Sequence, residues 1–188
     1  YICILSLSTI FFLDIRIKDM KKTKKQISAP FIFFITLLSL LFVKLFILDI
    51  VIVSGTSMEP TIKDGQTIFI NKLAYGIVKP FSSSFFIQWK TPNEDDVVIY
   101  LYNDKMVVKR CVATELTPME YFVNSEYSMK VNNKIIPLSE QQFHRIKNSF
   151  CVPDKMILAV GDNYLESVDS RNYGFVSVKN IIGKVICK

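Results

Sequence analysis

Apolar and polar positions divide the chain into two unlike stretches. Residues 31–48, FIFFITLLSLLFVKLFIL, are apolar on every face of a helix and carry a single charge, Lys44. A membrane span takes about 20 such residues, with a range of roughly 17–25. A helix that is apolar all round lies either in lipid or deep in a core, whereas a surface helix shows a stripe. The pattern predicts a transmembrane helix over 29–48, with Lys44 snorkelling to the interface. A cleaved export signal is the alternative, but its apolar region runs only about 7–15 residues. Beyond residue 50 the period changes. β-Branched and aromatic residues gather in short runs: QTIFINKLAY (66–75), DVVIYLYN (96–103), KMVVKRCVAT (105–114), KVNNKIIPL (130–138), KMILAVG (155–161) and IIGKVI (181–186). Asn103–Asp104 and Asn132–Asn133 fall between such runs and suit tight hairpins. No helical period stands out there, and 139–150 reads as a loop or a short helix. The expected fold is mainly β: an N-terminal transmembrane helix followed by twisted antiparallel β-sheets.

Charge orients this plan. Lys+Arg number 23 and Asp+Glu 17, a net charge of +6. Residues 14–25, DIRIKDMKKTKK, hold six bases and two acids, which leaves only +2 for the rest. The basicity is a patch before the apolar run, not a nucleic-acid-binding face, so no nucleic-acid partner is expected. By the positive-inside rule the N-terminus stays cytoplasmic and residues 49–188 are exported. Three regions follow: a basic cytoplasmic segment over 1–28, the anchor over 29–48 and an extracytoplasmic domain over 49–188. Met20 opens MKKTKKQ, a suitable start before an anchor, so translation is expected to begin there rather than at Tyr1. Cys3, Cys111, Cys151 and Cys187 form no CxxC pair and read as buried free thiols. His144 is the only histidine, which argues against a histidine triad and against a zinc site needing several imidazoles.

Three polar clusters interrupt the apolar domain. In a strand over 105–113, Val107, Lys109, Cys111 and Ala113 share one face, and Met106, Val108, Arg110 and Val112 the other. Lys109 is flanked on its own face by apolar side chains. Buried there, its ammonium is disfavoured and its pKa falls, which makes a neutral amine available as a general base. The other reading is an edge strand with Lys109 in water. Ser57 lies in SGTSMEPT (54–61), a turn stiffened by Pro60, where Gly55 permits close backbone approach. The third cluster is GDNYLESVDSRNYG (161–174). Separately, Phe81, Phe85, Phe86, Ile87 and Trp89 gather between Lys79 and Lys90, a composition suited to a membrane interface or to a buried hairpin core.

Together these segments resemble type I signal peptidase, the bacterial leader peptidase family of Ser–Lys proteases. SGTSMEPTI is similar to its nucleophile box and DGQTIFINKLAYGI to the following strand. DDVVIYLYNDKMVVKRCVA is similar to its lysine box, and VPDKMILAVGDNYLESVDSRNYGFVSVKNIIGKV to its final box. The resemblance implies a membrane-anchored endopeptidase of the bacterial inner membrane that removes signal peptides from exported preproteins, with the lipid bilayer as its other partner and no cofactor or metal. It implies Ser57 as nucleophile, Lys109 as general base and Ser167 as the hydroxyl orienting the lysine amine. Asp169 and Arg171 become a supporting ion pair, and Gly161, Asp162 and Asn163 the box that shapes the site. Met58 and Val108 line the pocket for small residues at the cleavage point. Lys44 and Asp49 resemble a basic–acidic pair between anchor and nucleophile. Gly55 stands where some members have a serine that helps the oxyanion hole, which shifts that task to the Ser57 backbone N–H. Three alternatives carry different expectations. A repressor-type autoprotease needs a DNA-binding domain where the apolar run lies. A processing peptidase of the same fold would serve one substrate, and a relict β-domain would only bind partners.

Overall fold

The computed structural model describes residues 29–80, 84–124 and 126–187. The expectations for the basic segment 1–28, Met20, Cys3 and Phe81 lie outside the described residues. The chain divides into two units, residues 1–40 and 41–188. Helix α1, Ala29–Phe42, continues through a π-helical turn, Val43–Ile47. The stretch Ala29–Ile47 is long and apolar enough to cross a membrane. It stops at Leu48, whose backbone turns extended (φ −131°, ψ 142°) and opens the first strand. In the second unit Lys72 anchors that junction: its backbone N–H donates to the Ile47 carbonyl and its amine to the Lys44 carbonyl.

The second unit is mainly β. Its strands are β1 (Leu48–Ile52), β2 (Thr67–Asn71), β3 (Gly76–Val78), β4 (Phe85–Gln88), β5 (Val97–Tyr102), β6 (Lys105–Ala113), β7 (Met119–Val123), β8 (Tyr127–Val131), β9 (Lys134–Leu138), β10 (Met156–Val160), β11 (Val176–Ser177) and β12 (Ile181–Cys187). A seven-stranded sheet runs in the order β1-β2-β12-β5-β6-β10-β11, beside the hairpin β3-β4 and the three-stranded sheet β7-β8-β9. The pairings are antiparallel. Asn103 and Asp104 both take positive φ (48° and 59°), the geometry that a two-residue hairpin between right-twisted strands requires. Between β8 and β9, Asn132 also takes a positive φ (53°). In β2, Ile68 and Ile70 are buried while Phe69 faces out, the alternation of a half-covered strand. Central β5 buries Val98, Ile99 and Tyr100 in succession, because both of its faces are covered.

The segment 139–150 resolves into helix α2, Glu140–Ile146, closed by a capping box in which Ser139 and Gln142 satisfy each other's backbone N–H groups. Helix α3, Ser170–Tyr173, is a single turn capped by the Asp169 carboxylate. Cys111 is buried and Cys151 exposed, and both are free thiols. The expectation of burial therefore holds for Cys111 and fails for Cys151, which forms an isolated bridge with Pro118.

Candidate active site

Strand β6 sets the site. Its register against β5 places Lys109 opposite Val98 and Arg110 opposite Val97, and the pleat sends the two bases to different partners. Lys109 is buried, at 4% exposure, and its Nζ lies 2.6 Å from Ser57 Oγ. The edge-strand reading, with Lys109 in water, is thereby excluded. Arg110 reaches the Asp162 carboxylate with two N–H donors, at 2.6 and 2.8 Å, and the Asp95 carbonyl at 3.0 Å. Burial pushes the Lys109 ammonium below its ordinary pKa. The Asp169 carboxylate opposes that shift, the Arg171 guanidinium adds to it, and Asp162 opposes it weakly.

Ser57 sits in the turn between β1 and β2. Gly55 takes φ +102°, a conformation that side chains disfavour, and its N–H donates to Asp64 Oδ1 at 2.8 Å. That N–H is engaged in holding the loop. Met58 and Ile62 are buried beneath the loop and fix it to the core around Ile68, Ile70 and Ile99.

The 161–174 segment clamps the Ser57 loop from the other side. Asn163 donates its backbone N–H to the Ser57 carbonyl at 3.1 Å and its side-chain amide to the Thr56 carbonyl at 3.3 Å. Gly161 packs so closely that a Cβ there would fall 2.5 Å from the Ser57 carbonyl oxygen and nearer still to Ser167 Oγ. Its N–H donates to Asp169 Oδ2. Asp169 and Arg171 form an ion pair at 2.9 Å with side chains only 0% and 1% exposed. Arg171 also donates to the carbonyls of Pro137, Tyr164 and Ser167, so one guanidinium ties the whole loop to strand β9. Ser167 is buried, and its Oγ hydrogen-bonds to none of the described residues. The lysine-orienting hydrogen bond that the resemblance implied for it is not formed in this structure, where the hydroxyl lies against Gly161.

A cleft of about 630 Å³ opens over Ser57 and Lys109, lined by Val51–Met58, Lys105–Lys109, Glu166 and Val168 among others. Met58 and Val108 both line it. Sequence reading missed Asp64, Thr56 and Glu166. Thr56 donates its hydroxyl to the Glu166 carboxylate across 110 positions of sequence, a separation with no local signal. It also paired Lys44 with Asp49; Asp49 instead binds Lys72 at 2.9 Å, its close neighbour across the β1–β2 ladder. His144 is on α2, half exposed beside Glu140, and does not line the cleft. Among the described residues no cluster of His, Cys, Asp or Glu could hold a metal ion.

The model of a family described as "Signal peptidase, peptidase S26" matches residues 26–188. The chain belongs to that signal peptidase family. A signal peptidase I of Bacillus caldolyticus is 28% identical over 171 residues, covering 88% of this chain and 92% of its own. A signal peptidase I of Buchnera aphidicola is 24% identical and covers 89% and 80%. An "Inactive signal peptidase IA" of Staphylococcus aureus is 21% identical and covers 88% and 91%. A solved signal peptidase I structure from Enterococcus faecalis has 22% identity and a TM-score of 0.36, covering 52% of this chain and 98% of that one. Membership of the signal peptidase family supports signal-peptide removal as the activity and preproteins that carry signal peptides as the substrates.

Proposed function

We propose that this protein is an active, membrane-anchored serine endopeptidase that cleaves signal peptides from exported preproteins through Ser57 and Lys109. The observation that carries the reading is the 2.6 Å contact of Lys109 Nζ with Ser57 Oγ, made by a lysine whose burial favours its neutral form. A neutral amine accepts the Ser57 proton as Oγ attacks the scissile carbonyl. The amine returns that proton to the leaving nitrogen, and water then hydrolyses the acyl-enzyme. With Gly55 N–H committed to Asp64, the Ser57 N–H is assigned as oxyanion donor. Strand β1 is an edge of the large sheet, and its end lines the cleft. An extended substrate can add to that edge through main-chain hydrogen bonds, with Met58 and Val108 restricting the side chain next to the cut.

The apolar helix Ala29–Ile47 is assigned as the anchor. The basic cluster at 14–25 orients its N-terminus to the cytoplasm and the cleft to the outer side. No metal or cofactor enters this chemistry.

A relative named inactive makes the opposite reading concrete: a site of the same fold that holds preproteins without cutting them. Retention of Ser57 and Lys109 in mutual contact supports the active reading. Incubation of the full-length protein in detergent with a preprotein separates the two. The expected result is a single cut at the end of the signal peptide, lost in Ser57→Ala. An intact preprotein after incubation with the folded wild type refutes the activity.

A further inference from the structure

A second cavity, of about 450 Å³, lies in the 41–188 unit. Its walls are apolar, with Ile70, Val78, Ile99 and Leu101 among them, and Lys44, Lys72, Lys79 and Asp49 also line it. That volume falls within the range of about 300–1,000 Å³ typical of ligand pockets. The lysines differ in their commitments. Lys72 is engaged by Asp49 and the Lys44 carbonyl. Lys44 and Lys79 are exposed and make no ion pair with any described residue. Lys79 Nζ sits only over the Phe86 ring, 5.6 Å from its centre, and Phe86, Ile87 and Trp89 beyond it are exposed apolar side chains. With Asp49 neutralised by Lys72, two positive charges remain beside an apolar interior.

We propose that this cavity is a binding site for an anionic phospholipid, with an acyl chain between Ile70, Val78, Ile99 and Leu101 and the phosphate held by Lys44 and Lys79. Charge complementarity selects the occupant: an apolar tail fills the walls, and a single negative charge meets the two uncommitted amines. Position in the chain supports it, because Lys44 is the only charge in the apolar run 31–48 and so lies where a spanning helix meets headgroups. The proposal rests on the reading of Ala29–Ile47 as membrane-embedded, and is independent of catalysis.

Native mass spectrometry of the full-length protein, released from micelles doped with phosphatidylglycerol or phosphatidylcholine, tests it. Phosphatidylglycerol should be retained in one-to-one stoichiometry and phosphatidylcholine should not. In Lys44→Gln/Lys79→Gln, phosphatidylglycerol affinity should fall about 30-fold, two surface lysines' worth of attraction. Lys130→Gln/Lys179→Gln, which removes two exposed lysines outside the cavity, serves as a folded control of equal charge and should retain the lipid. Equal retention of the two lipids, or unchanged affinity in the double variant, overturns the proposal. Flotation of the protein with phosphatidylcholine vesicles reads the anchor separately, so a failed anchor and a failed lipid site give different results.

Discussion

Ser167 poses the sharpest question at the scale of single residues. A buried hydroxyl without a partner costs roughly 1–3 kcal/mol, and such exceptions in folded proteins call for a reason. Ser167 Oγ is one, within the loop that clamps the Ser57 turn. Orienting the neutral Lys109 amine during turnover would supply the reason. Ser167→Ala removes an unsatisfied group, so its melting temperature should equal or exceed that of the wild type while kcat falls about tenfold or more. Equal loss of stability and activity would make Ser167 merely structural. Lys109 stood out in the sequence through its apolar strand face, whereas Ser57, in a Gly/Pro turn, stood out only through the resemblance of its box. Their support was legible only in part: the resemblance pointed to the 161–171 segment, but neither to Asp64 nor to the bonds that the segment makes to the Ser57 turn. Asp64 on the Gly55 N–H, and Asn163 on the Thr56 and Ser57 carbonyls, join segments that only the folded chain brings together.

Among the elements, strands were easier to read than their pairing. The runs at 96–103 and 105–114 became β5 and β6 around an Asn-Asp turn, because alternation and turn chemistry are both local. β7 escaped notice because its five residues are too brief for a clear period, and the β3–β4 hairpin figured only as one of two readings of the aromatic cluster. The loop 161–174 is polar in sequence, yet its Asp169–Arg171 pair is buried. Removing one member of such a pair strands the other charge, at about 3–5 kcal/mol. Arg171→Ala should therefore lower the melting temperature by on the order of 10 °C, with activity failing through collapse of the Asn163 clamp. A variant that melts like the wild type in calorimetry would show that the guanidinium does not hold the loop. The aromatic cluster at 79–92 resolves unevenly. Phe85 packs against the core, whereas Phe86, Ile87 and Trp89 are each more than half exposed. Burial in a hairpin core therefore accounts for Phe85 but not for the other three. Trp89 is the only tryptophan, so its fluorescence in reconstituted vesicles should be quenched by brominated acyl chains. Fluorescence unaffected by the bromines would place the hairpin in water.

At the scale of the whole molecule, the proposed chemistry needs Lys109 unprotonated. Below the folded-state pKa of Lys109 its ammonium is charged and cannot take the Ser57 proton, so turnover should fall as pH falls through that value. The midpoint should lie below the ordinary lysine value of about 10.4, because burial lowers it. His144 stands outside the cleft, and His144→Ala should leave both rate and profile unchanged. The most direct test of the dyad is the rate of preprotein cleavage by full-length Lys109→Arg, followed across pH beside the wild type, with folding checked by thermal melting. A guanidinium keeps its proton throughout, so the account predicts a folded variant slower by roughly 10²–10⁴-fold at every pH where the wild type is active. A folded Lys109→Arg protein that cuts at close to the wild-type rate would contradict it.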